Sequence, residues 1–129
     1  MKVTRVCLLA IVACSCRKVV NNPASGPSEA TMERQEEVRK LISSYIHHPG
    51  VEIVRGPLTV REVRKELGAY GRSLGGVPGW QELRPKLKRG DEFYYYTTDR
   101  QSWAELYGRE GYVAIRGDEV VGSLLTAMN

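Results

Sequence analysis

Cysteine is missing from residues 17–129: Cys7, Cys14 and Cys16 crowd into the first sixteen positions. That distribution excludes a disulfide framework or a thiolate metal site in the body of the protein. Histidine is nearly as scarce, with only His47 and His48. Sequence neighbours on a helix point apart, so this pair does not share a metal ion as an i, i+4 pair would. A spanning apolar segment is lacking too. The run Val6–Ala13 has eight residues, about 12 Å of helix against the roughly 30 Å of a hydrocarbon core. One-sided charge is absent: the net charge is +4, and without Lys2 and Arg5 it falls to +2. That is too mild for a nucleic-acid face, and no such partner is expected. Gly68, Gly71, Gly75 and Gly76 lack the lysine-serine ending and the preceding strand of a phosphate-cradling loop. No cofactor, metal site or catalytic set is expected, and 129 residues hold one domain at most.

What is present begins at the N-terminus. Lys2 and Arg5 precede the apolar run, and Ala13 is small. That arrangement reads as a secretory signal over residues 1–13. Ile11-Val12-Ala13-Cys14 then resembles the lipobox of bacterial lipoproteins. The resemblance implies that Cys14 receives a diacylglycerol on sulfur, is freed by cleavage after Ala13 and is acylated on nitrogen. Several acyl chains anchor stably where one holds only marginally. A cell-envelope protein is therefore expected, with the membrane as a partner through the lipid. In a Gram-negative host Ser15, by the same resemblance, favours the outer membrane. Residues 17–30 are rich in Pro, Ser, Asn and Gly, so 14–30 reads as lipidated cysteine plus flexible tether. Residues 31–129 remain as a single small α+β domain.

In that domain Val38, Leu41, Ile42, Tyr45 and Ile46 form one helical stripe within a helix over 31–47. Val51 to Arg55 reads as a short extended or looping segment. Thr59-Val60-Arg61-Glu62 is a capping box that opens a second helix, which Gly68 stops. Five glycines between 68 and 79 read as a loop, and Trp80 to Leu87 as a short helix interrupted near Pro85. Phe93–Thr98 is rich in β-formers. Thr98 or Asp99 then caps a short helix through Ser102, Trp103 and Leu106. Tyr112–Arg116 and Glu119–Leu125 flank Gly117-Asp118, which suits a type II′ hairpin. The hairpin register expected pairs Arg116 with Glu119, Ile115 with Val120 and Val113 with Gly122, with Val113, Ile115, Val120 and Leu124 on one core face. The architecture expected is two helices packed on a three-stranded antiparallel sheet. A short helix is inserted between its first and second strands, and a hairpin ends the chain.

A lipobox, a tether, the segment Leu58–Gly68, an aromatic strand and a terminal hairpin are similar in order to the SmpA/OmlA-like small lipoproteins. That resemblance rests on Thr59, Val63, Leu67, Gly68 and Phe93–Tyr96. It implies work in outer-membrane barrel assembly or a related envelope complex. The helix over 31–47 and the Trp103 helix depart from it, so only the topology is carried over.

The residues themselves offer one binding candidate. If Phe93 and Tyr95 face the core, Tyr94 and Tyr96 stand outward, where Tyr112 and Val121 can join them. Tyrosine patches bind peptide, protein or sugar rings, and an envelope protein or peptidoglycan is the expected partner. A helix covering this face is the alternative. Arg-Gly-Asp occurs at 89–91 and 116–118, where turn chemistry accounts for it. Arg84, Lys86, Lys88 and Arg89 form a basic cluster. The reading is a non-enzymatic, membrane-anchored envelope lipoprotein. A small wall-modifying hydrolase using Asp91, Glu92 or His48 is the alternative, and an inhibitor-type domain is a third.

Overall fold

A computed structural model describes residues 29–128, and the signal, lipobox and most of the tether expected above lie outside them. The fold is α+β. Helix α1 spans Glu29–Ile46, β1 Val51–Leu58, α2 Val60–Ala69 and α3 Trp80–Leu83. Strand β2 spans Glu92–Thr98, α4 Arg100–Ala104, β3 Arg109–Arg116 and β4 Glu119–Met128. The four strands pair antiparallel in the order β1-β2-β3-β4, a meander with β1 and β4 at the edges. Helix α4 sits between β2 and β3, as the inserted short helix was expected to.

Three expectations change. The sheet has four strands, because Val51–Leu58 pairs with β2 from Val51 opposite Thr98 to Leu58 opposite Phe93. Gly56 and Pro57 hide this strand in the sequence. Proline has no amide to donate, so it is tolerated on an edge and not in the middle of a sheet, and β1 is an edge. Helix α1 begins at Glu29, two residues into the expected tether. The hairpin keeps Arg116 opposite Glu119 and Ile115 opposite Val120, then slips, so that Ala114 meets Gly122 and Val113 meets Ser123. The extra residue in β4 forms a bulge, and every side chain beyond it changes face. Leu124 therefore leaves Val113 and Ile115 for the opposite side. At the turn Gly117 has φ 65° while Asp118 keeps a negative φ, the type II′ combination.

The sheet is covered on both faces. On one, Val38 and Ile42 of α1 pack on Val51, Tyr94, Tyr96, Val113 and Ile115. On the other, Val63 and Leu67 of α2, with Leu74, Val77, Trp80 and Leu83, pack on Phe93, Tyr112, Ala114 and Leu124. The capping box fixes where α2 starts: the Thr59 hydroxyl accepts from Glu62 N–H, and the Glu62 carboxylate accepts from Thr59 N–H. Gly111 has a steric role, since a Cβ there would lie 2.0 Å from the Leu124 carbonyl oxygen. Trp80 is buried in the second cluster, whereas Trp103 is only partly buried, covers Gly108 and donates its indole N–H to Thr97 Oγ1 at 3.1 Å.

If α1 is a full layer of the core, truncating its buried stripe is costly and truncating its rim is not. Ile42→Ala is expected to lower unfolding free energy by about 2–5 kcal/mol. Tyr45→Ala, at an exposed position, is expected to stay within about 0.5 kcal/mol. Urea denaturation of the two variants checks the contrast.

Candidate functional site

Covering both faces decides where the tyrosines can act. Tyr94 and Tyr96, expected on an outer face, are 0% and 2% exposed beneath α1. Their face is the one that the apolar stripe of α1 requires, so they do not form a surface patch. Tyr112 stands on the opposite face, paired with Tyr95 across β2 and β3. Their rings meet edge-on with centroids 5.4 Å apart.

Around this pair lies a cleft of about 390 Å³ between β1, α2 and the far end of the hairpin, at the small end of the range for ligand pockets. Strand β1 sets Arg55 opposite Tyr95, with its guanidinium 4.5 Å from the tyrosine ring centroid. Helix α2 supplies Glu66 one turn beyond the capping glutamate. One carboxylate oxygen of Glu66 accepts from Tyr112 Oη and from Arg55 Nη2, each at 2.6 Å. Tyr95 Oη donates to the Glu110 carboxylate. Arg72 Nη1 donates to the Thr126 carbonyl at 2.8 Å, and Thr126 Oγ1 donates to the Glu110 carbonyl at 3.1 Å. Tyr70 stands at the lip, 84% exposed. Burial, then the carboxylate each phenol serves, pushes both tyrosines upward, Tyr112 to about 12. Both hydroxyls therefore stay protonated and donate. Glu66 shares its charge with Arg55, whereas among the described residues no ion pair joins Glu110.

The residues of the hydrolase alternative lie apart. Asp91 is gripped at both oxygens by Arg116, at 2.8 Å each, and the arginine beside it holds its carboxyl below the usual carboxylate range. The two Arg-Gly-Asp segments thus lock onto each other: the aspartate of the first is held by the arginine of the second, and its side chain is 3% exposed. Glu92 meets Tyr94 Oη and Arg34. His48 lies beyond the opposite end of β2, about 20 Å away along seven residues of strand.

There His48 meets two groups that the sequence did not bring together, Ser102 and Asp99. The arrangement has the composition of a nucleophilic triad and the wrong polarity. Gly50 N–H donates to His48 Nδ1 at 3.0 Å, so the neutral ring carries its proton on Nε2. Nε2 lies 2.9 Å from Ser102 Oγ and donates to it, and Ser102 Oγ donates in turn to Asp99 Oδ1 at 2.6 Å. A base that activates serine accepts the hydroxyl proton; this histidine gives one. The chain of donors ties the end of α1 to the cap of α4, where Asp99 Oδ1 also accepts from Ser102 N–H.

Among the described residues, no three of His, Cys, Asp or Glu gather as metal ligands would, and no helix is long and apolar enough to cross a membrane. The basic cluster, Arg84, Lys86, Lys88 and Arg89, is exposed. Of the cleft residues, only Tyr112 carries a site expectation from the sequence. Arg55 lies on the hidden strand, Glu66 resembles a surface charge on a helix, and Glu110 falls where no strand was expected. No family model matches this chain, and neither the curated proteins nor the solved structures contain a match.

Two measurements check these networks. A tyrosine raised to about 12 in the fold and near 10.0 in the unfolded chain stabilises fully below pH 10, and that contribution is lost as pH rises from 10 to 12. Tyr112→Phe is expected to flatten the fall in stability across that window. Ser102→Ala leaves the His48 N–H unanswered in a buried place and is expected to cost about 1–3 kcal/mol, read by thermal or chemical unfolding.

Proposed function

We propose that this chain is a lipid-anchored lipoprotein of the cell envelope whose domain binds a ligand without transforming it, in the Tyr95–Tyr112 cleft. The sequence supports the anchor: Ile11-Val12-Ala13-Cys14 after a short apolar run, and cysteine nowhere past residue 16. The single observation that carries the binding role is Glu110, a partly buried carboxylate on the cleft wall. It is served by a phenol and, among the described residues, no ion pair joins it. Such a group favours a ligand that brings its own positive charge. Arg72 on the same rim offers a donor for a neighbouring carbonyl or carboxylate. A peptide segment with an amine-bearing side chain fits this pattern, from an envelope protein or from peptidoglycan.

The donor polarity at His48 supports binding over hydrolysis, as does the distance between His48 and Asp91. A place in the outer membrane, or in barrel assembly as the SmpA/OmlA-like resemblance implies, belongs to this same proposal.

In the native host, mass spectrometry is expected to find a mature chain beginning at an acylated Cys14. Retention of Met1 would end the envelope reading. Titration calorimetry is expected to detect lysine-containing peptides or wall stem peptides, and Glu110→Gln is expected to weaken that binding at least tenfold with the fold intact. Equal affinity in parent and variant would remove the cleft from the account.

A further inference from the structure

Three helices close in the same way. A left-handed residue follows the last turn, and the amide after it donates back to a carbonyl five residues earlier: Arg72 to Leu67, His48 to Ser43 and Tyr107 to Ser102. At α2 the left-handed residue is Gly71, with φ 71°, the residue this conformation favours. At α1 and α4 it is His47, with φ 57°, and Leu106, with φ 68°. A leucine there crowds its Cβ against the backbone carbonyl. Leu106 is also 75% exposed, so packing does not repay the strain.

Both strained residues border one hollow, together with Tyr107, Arg109 and Met128. An adjoining hollow adds Tyr45 and shares His47 and Arg109. Tyr45, Leu106, Tyr107 and Met128 are all exposed, and among the described residues neither hollow is lined by an aspartate or glutamate. The nearby Glu105 carboxylate accepts from Gln101 Nε2 at 3.0 Å and stands beside the Tyr107 phenol, so its one negative charge lies at the edge of this surface. The surface is held rigid from behind, because His48 bonds Ser102 and its ring lies 5.4 Å from that of Tyr107.

We infer that this end of the domain seats in the interface of an anionic lipid bilayer. Leu106 and Met128 enter the acyl boundary, the tyrosines lie at headgroup level and Arg109 meets phosphate. Apolar tips, amphipathic rings and a cation that no ion pair joins among the described residues are the composition of an interfacial surface. The inference rests on the lipid-anchor reading, which brings a membrane within reach. The chain between Cys14 and Glu29 can extend up to about 50 Å, more than the roughly 27 Å length of α1, so the anchor can lie beside either end of the domain.

The test uses the chain from residue 14 carrying Cys14→Ser, so that no acyl group contributes, in sedimentation with vesicles. Binding to phosphatidylglycerol-containing vesicles is expected to exceed that to pure phosphatidylcholine at least tenfold. Leu106→Asn relieves the left-handed strain, and is expected to raise Tm while weakening vesicle binding at least fivefold. A variant that is stabilised yet binds vesicles like its parent would overturn the inference. So would a parent that ignores both vesicles, or one that buries Leu106 in a dimer with a second copy. If native Cys14 proves unmodified while the vesicle result holds, the anchor fails and the docking surface stands. If the native chain is acylated while its Cys14→Ser form ignores phosphatidylglycerol, the anchor stands and the docking surface fails.

Discussion

Strand β2 imposes the constraint on which the rest of the structure depends. Phe93, Tyr94, Tyr95 and Tyr96 place a large ring on each face of the sheet in turn, so this strand has no face suited to water. A strand of that kind in an antiparallel sheet requires an apolar layer on each side. Helix α1 supplies one, through Val38 and Ile42, and α2 with the segment through Leu83 supplies the other. Between them the tyrosine hydroxyls still need partners. Tyr94 finds Glu92, Tyr95 finds Glu110 and Tyr112 finds Glu66. The cleft follows from that need: where Tyr95 and Tyr112 reach toward their carboxylates, polar groups gather at the rim of an apolar floor.

The helix ends express a second constraint. Backbone groups at a terminus must be answered: His48 Nδ1 accepts from Gly50 N–H just past α1, Asp99 Oδ1 accepts from Ser102 N–H at the start of α4, and a side-chain relay from His48 to Ser102 to Asp99 joins the two. That relay points protons away from the histidine. It accounts for a serine, a histidine and an aspartate within bonding distance without assigning them chemistry. His47 and Leu106, both left-handed beside these two helix ends, lie at one surface.

Local signals were legible in the sequence, and long-range ones were not. The capping box at Thr59, the turn at Gly117 and the aromatic strand at Phe93 each rest on chemistry within four residues of the feature. The fold class followed from them, and the inserted helix from the cap expected at Thr98 or Asp99. Strand β1 did not, because Gly56 and Pro57 forbid a central strand and nothing local announces an edge. The bulge in β4 did not either, and one extra residue moved Leu124 to the other face. Facing was the costliest ambiguity: periodicity separates Tyr94 and Tyr96 from Phe93 and Tyr95, but it does not say that both sets are covered. Tyr112 reached the cleft by a different route from the one its sequence position implied, while Arg55, Glu66 and Glu110 are joined there by folding from three separate elements.

If a doubly covered β2 organises the domain, its amides open only when the whole molecule does. Native-state hydrogen exchange measures this directly. The amides of β2 and of the facing part of β3 are expected to exchange with the free energy of global unfolding, with those of β1 and the segment around Leu106 exchanging more easily. Exchange from Tyr94 and Tyr96 at the rate of a frayed surface strand, well below the global free energy, would contradict the account. It would return those tyrosines to the outer face.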